Sequence, residues 1–157
     1  SYDKYLDMIY KKTASLIEAS AKAAAILSNK DQEKFALYGK NLGLAFQMID
    51  DILDITQDSE TLGKPAMLDF VEGKVTIPYL LLHERCEDKT KLESLYKKEL
   101  SQDESLWIKE QMNITNALND SIIQAKEIGN EAIKAVENEE DSATLVMIMK
   151  AMIEREF

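Results

Sequence analysis

Asp50, Asp51 and Asp54 put three carboxylates within one turn of a helical pattern, and Lys64 and Lys74 follow a short way along the chain. Residues four apart share a helix face, so Asp50 and Asp54 stand roughly 6 Å apart along the axis at about 1.5 Å per residue. That span suits a hydrated Mg²⁺ held by carboxylate on one side and phosphate oxygens on the other. The plainer alternative is a set of solvated acids on an exposed face, where acidic side chains usually stand. Repulsion costs only about 0.2–0.5 kcal/mol per pair and does not decide between the two. The neighbours do, because Phe46, Ile49, Ile52, Leu53 and Ile55 leave little room for a broad polar face. An EF-hand calcium loop fails on spacing: one starting at Asp54 would have Ser59 where Gly is needed and Pro65 where Glu is needed.

The elements that must hold these groups read as helices. Five glycines and two prolines are few, and apolar residues recur at spacings of three and four with no lasting strand alternation. A first helix is predicted from about Tyr2 to Leu27, with Tyr5, Leu6, Ile9, Leu16 and Ile17 among its core positions and a small-residue stretch at Ala19–Ala25. Ser28–Asp31 supplies a turn and an N-cap for a second helix over about Asp31 to Gln57, whose period runs through Phe35, Tyr38, Leu42, Phe46, Ile49 and Leu53. Gly39 and Gly43 each cost about 1 kcal/mol relative to Ala in a helix interior, so they either admit a close neighbour or ligand or are simply tolerated. Thr61–Lys74 is the main irregular segment, and Thr76-Ile77-Pro78 opens a third helix. Further helices are predicted at about Lys89–Glu99, Glu104–Met112, Thr115–Val136 and Ser142–Glu156.

Length and charge bound the partners. A chain of 157 residues supports one ordinary domain, and 45% hydrophobic with 31% charged residues is a globular composition. A net charge of −10 disfavours nucleic acid, and an anionic small substrate would need local lysines or a metal bridge. Cys86 is the single cysteine, no basic and apolar leader opens the chain, and no apolar run approaches the roughly 20 residues of a membrane span. The expectation is a cytoplasmic protein without a transmembrane segment. His83 and Cys86 belong to no motif, Phe46 reads as core, and the methionines, including Met147, Met149 and Met152, read as packing.

Several motifs together resemble the trans-isoprenyl diphosphate synthases. They are Lys12-Thr13, then Phe46-Gln47 leading into Asp50-Asp51-Ile52-Leu53-Asp54, then Gly63-Lys64-Pro65, Asp69, and Glu72-Gly73-Lys74-Val75-Thr76-Ile77-Pro78. A lone aspartate-rich motif is weak; the Lys-Thr pair, the Phe-Gln run into the aspartates, Gly-Lys-Pro and the Glu-Gly-Lys run, together and in this order, are specific. The character is most similar to a bacterial medium- or long-chain enzyme of the octaprenyl or geranylgeranyl kind. The resemblance implies an all-α helical bundle of the isoprenoid synthase type and a homodimer. It also implies a Mg²⁺-dependent condensation of isopentenyl diphosphate with an allylic diphosphate. By position in the motifs, Asp50, Asp51 and Asp54 would bind metal, with Asp50 in direct coordination and Asp54 through water. Lys12, Lys64, Lys74 and Gln47 would hold the diphosphate, and Lys12, Thr13, Gln47 and Asp50 would serve catalysis. Any one of these lysines taken alone reads as an ordinary surface residue; three inside matched motifs do not.

Two departures qualify the resemblance. Met67 stands where the family commonly has Gly, which puts the local loop geometry in question. A first aspartate-rich motif, its Arg-Arg pair and the residues that bind isopentenyl diphosphate are absent from the 157 residues. The expectation is therefore that residues 1–157 are the C-terminal part of a single isoprenoid synthase domain, lacking the N-terminal helices and inactive alone. The competing expectation is a non-catalytic helical subunit of a heteromeric prenyl diphosphate synthase, and the reading frame upstream of Ser1 separates the two.

Overall fold

Helical periodicity with few breakers produces helices wherever the chain is described, and the computed structural model describes residues 1–57 and 67–154. In order these are α1 (Tyr2–Ile9), a π-helical turn (Tyr10–Ala14), α2 (Ser15–Leu27), α3 (Gln32–Thr56), α4 (Leu68–Glu72), α5 (Ile77–Arg85), α6 (Lys89–Leu95), α7 (Gln102–Ile114), α8 (Ala117–Val136) and α9 (Ala143–Ile153). No strand occurs among the described residues. The fold is all-α, as the sequence implies.

The chain divides into two compact units. One takes Ser1–Tyr5 with the described residues between Asp50 and Ile122, and the other takes Leu6–Ile49 with the described residues from Ile123 onward. In the first, Ile55, Met67, Phe70, Leu82, Ile108 and Met112 are among the residues of one apolar cluster. Its aromatic centre is Phe70, 4.7 Å from the ring of Tyr79 and 5.5 Å from that of Tyr96 in an edge-on arrangement. In the second, the Tyr38 hydroxyl of α3 donates to the Leu145 carbonyl at 2.9 Å, giving the buried phenol the partner it needs.

Local signals explain several differences from the predicted boundaries. The first predicted helix is interrupted at Tyr10–Ala14, where the Ser15 amide reaches back to the Tyr10 carbonyl across five residues. Leu16, expected in the core, is 74% exposed. Helix α4 falls inside the segment expected to be irregular; residues with left-handed backbone, Met67 at φ 59° and Gly73 at φ 81°, bound it on both sides. Helix α7 starts earlier than expected because Ser101 and Glu104 form a reciprocal capping box, a Ser-x-x-Glu pattern visible in the sequence.

Candidate functional site

In the unit that begins at Ser1, the acidic turn closes α3, and its three carboxylates meet different surroundings. Asp50 is exposed, while Asp51 and Asp54 are 4% and 1% exposed. Burying a carboxylate is costly unless hydrogen bonds replace its water. Asp51 Oδ2 accepts the Tyr5 hydroxyl at 2.7 Å in a fully buried bond. Asp54 Oδ2 accepts the Asp69 amide at 3.1 Å, and the Asp54 carbonyl accepts the Met67 amide at 2.8 Å. The acidic turn is thus tied to α1 by a side chain and to the start of α4 by backbone amides.

The conformation of Met67 makes the second tie possible. A left-handed backbone costs a non-glycine residue about 1–2 kcal/mol, and Met67 has φ 59°. Here the side chain is fully buried in the apolar cluster, which offsets the backbone strain. Lys74 lies on the far side of α4, its ammonium 2.8 Å from Asp69 Oδ1 and 2.7 Å from Glu72 Oε2. Those two hydrogen bonds raise its pKa above the ordinary lysine value and keep it cationic. Burial, then the charge of Asp51, pushes the Tyr5 phenol far above its usual value, so it remains a protonated donor. Burial, then the charges of Asp54 and Asp69, does the same to Tyr79, whose buried hydroxyl has no hydrogen-bond partner among the described residues.

The other unit holds the remaining polar candidates. Lys12 and Thr13 sit in the π-helical turn, a feature that recurs at functional sites. The Thr13 hydroxyl donates to Gln47 Oε1 of α3 at 3.2 Å, bringing together two residues singled out from the motifs. Lys12 is exposed and makes no ion pair among the described residues. Gly39 and Gly43 decide how this turn is seated. A Cβ on Gly43 would lie 2.4 Å from Ala14 Cα, and one on Gly39 would lie 2.7 Å from the Ile17 carbonyl oxygen. The glycines admit a neighbouring backbone, which resolves the two readings the sequence allows. Thr13 also borders a cavity of about 480 Å³ lined by Ile17, Leu42, Phe46, Ile148 and Met152. Phe46, read as core from the sequence, is 48% exposed on this cavity.

Lys64 lies outside the described residues. His83 pairs with Glu93 at 2.8 Å and Cys86 is buried. Sequence reasoning took Tyr5 only as a core position; the signal that could have found its role is that a buried phenol needs a polar partner. Asp69 was visible as a motif member, but its amide, the group that reaches Asp54, has no sequence signature. No helix of the described residues is long and apolar enough to cross a membrane.

Comparison with known proteins bears on the same residues. The family model for polyprenyl synthetase matches residues 1–114. A short chain isoprenyl diphosphate synthase of Methanothermobacter thermautotrophicus is 36% identical over 98% of the chain and 50% of that relative. The crystal structure of octaprenyl pyrophosphate synthase from Helicobacter pylori superposes with a TM-score of 0.89 at 41% identity, over 99% of the chain and 51% of that protein. A polyprenyl synthase from Caulobacter crescentus, complexed with calcium and isoprenyl diphosphate, superposes with a TM-score of 0.86 at 32% identity, over 100% and 51%. The chain spans about half the length of each.

Proposed function

The chain belongs to the polyprenyl synthetase family, and on that premise we propose that it is the diphosphate-gripping part of a trans-prenyltransferase. The reaction joins isopentenyl diphosphate to an allylic diphosphate, giving a longer trans-polyprenyl diphosphate. The observation that carries this reading is the acidic turn, where two of three adjacent carboxylates are buried and each is fixed by a donor from another element.

The donor set fits a magnesium diphosphate. Among the described residues no three acidic, His or Cys side chains form a metal cage. Mg²⁺ is a hard cation that typically takes one or two carboxylates, with phosphate oxygens and water completing its shell. Asp50, Asp51 and Asp54 would hold it, and it would supply neutralisation of the charge that builds on the departing diphosphate. By motif position Lys12, Lys64 and Lys74 would supply ammonium groups to the diphosphate, and Asp69 and Glu72 hold the Lys74 ammonium. Thr13 and Gln47, joined to each other, orient the reacting end, and the apolar cavity beside Thr13 accepts prenyl carbons and excludes water. In the reaction the allylic carbon–oxygen bond breaks, the double bond of isopentenyl diphosphate attacks that carbon, and a proton leaves the product.

Calorimetry tests the grip directly. Inorganic pyrophosphate should bind more tightly with Mg²⁺ than without, and Asp50→Ala should remove the difference; equal heats for the two proteins would overturn the reading. The 157 residues alone should form no product from radiolabelled isopentenyl diphosphate and an allylic diphosphate. The parent protein is proposed to be a cytoplasmic homodimer, and its residues 1–157 form the C-terminal part of one catalytic domain. The second reading is a non-catalytic helical subunit of a heteromeric synthase. A first aspartate-rich motif encoded upstream of Ser1 would exclude that alternative.

A further inference from the structure

Two acids of the first unit are held in chemically different ways. Asp69 is bound by the ammonium of Lys74 at 2.8 Å, a cation that cancels its charge as it fixes it. Asp51 Oδ2 accepts the Tyr5 hydroxyl at 2.7 Å, and this donor fixes one carboxylate oxygen without bringing a cation of its own. The donor comes from 46 residues earlier and is 3% exposed, so packing around the ring holds the hydroxyl in position. A carboxylate turns about its last side-chain bond, and one oxygen anchored in this way stops that rotation.

We propose that Tyr5 is a positioning residue for the acidic turn: it orients the Asp51 carboxylate for a divalent cation carrying a diphosphate. The inference rests on the metal-binding reading of Asp50, Asp51 and Asp54 above. Partners of this kind, behind the ligands themselves, commonly account for 10- to 100-fold of metal affinity, because an unfixed ligand must be ordered on binding. The choice of residue follows. Phenylalanine would pack equally well and orient nothing, and lysine would orient the acid while competing with the cation.

The test is calorimetric titration of inorganic pyrophosphate at several MgCl₂ concentrations, on the 157-residue protein and on Tyr5→Phe, with far-UV circular dichroism to verify the fold. The apparent Mg²⁺ affinity should fall about tenfold in Tyr5→Phe. Excess Mg²⁺ should restore pyrophosphate binding, and binding without Mg²⁺ should not change; a purely structural role would give neither. Apparent Mg²⁺ affinity within twofold of the parent overturns the proposal. Should Tyr5→Phe fail to fold, Asp51→Glu keeps the charge and displaces the carboxylate from the hydroxyl. It should show the same loss, and parent-like Mg²⁺ affinity would again overturn the proposal. Asp51→Ala separates the two levels of the argument. If Asp51→Ala binds Mg²⁺ and pyrophosphate as the parent does, Asp51 is not a metal residue and the reading beneath the proposal fails with it. If Asp51→Ala loses binding and Tyr5→Phe does not, the metal reading stands and only the role of Tyr5 falls.

Discussion

The acidic turn and the Lys12–Thr13 turn bring polar groups into position by different means. At the acidic turn, directional hydrogen bonds do the positioning: the Tyr5 hydroxyl holds Asp51, and the Asp69 amide holds Asp54. At the Lys12–Thr13 turn, close packing does it, since Ala14 and Ile17 approach α3 where Gly39 and Gly43 have no side chains. The difference follows the chemistry. Buried carboxylates lose hydration and must regain it from donors, whereas the exposed Lys12 keeps its water and needs only a backbone held at the right place.

The largest effect should come from filling the glycine seat. Gly43→Val places branched carbon where Ala14 already sits, and overpacking of this kind should lower unfolding stability by about 3 kcal/mol, read from urea denaturation. An unchanged midpoint would erase the distinction between the two turns. Met67→Gly attacks the other turn and should cost about 2 kcal/mol net. Loss of a fully buried side chain outweighs relief of the left-handed backbone, although glycine suits that conformation better. Greater stability in Met67→Gly would mean that strain, and not packing, dominates at this corner.

Alkaline titration compares the units themselves. Tyr5, Tyr79 and Lys74, in the unit with the acidic turn, all have pKa values raised above the ordinary 10.0 or 10.5. A raised value means that the protonated form is favoured on folding, so this stability is complete below pH 10 and is lost as pH climbs past it. In the other unit burial raises the buried Tyr38, and hydrogen bonds to Glu18, Glu33 and Glu139 raise Tyr10, Lys22 and Lys34, where water screens the effect on stability. Amide signals of α4 and α5 should therefore lose dispersion at lower pH than those of α8 and α9. The smallest effect should have the opposite sign. Tyr79→Phe removes a buried hydroxyl with no hydrogen-bond partner among the described residues, and should leave stability unchanged or raise it by up to about 1 kcal/mol. Against the loss of Mg²⁺ affinity expected for Tyr5→Phe, this distinguishes a phenol that orients an acid from one that only fills space.

Residue periodicity determined much of this protein without any coordinates. Apolar spacing made it helical, the run from Gln47 to Asp54 put an amide and three acids on one long helix, and the ordered motifs implied the family that the comparisons then showed. Local capping at Ser101 and Glu104 was equally open to reading, because it spans four residues. Only the tertiary structure decided which acids are buried, that Tyr5 reaches Asp51, that a backbone amide reaches Asp54, and that Phe46 faces a cavity. It also decided that the chain winds into a π-helical turn at Lys12 and Thr13. The physical reason is range. Helix formation is fixed by groups a few residues apart, while the solvation of a carboxylate and the seat of a turn depend on atoms brought together from 15 to 46 residues away.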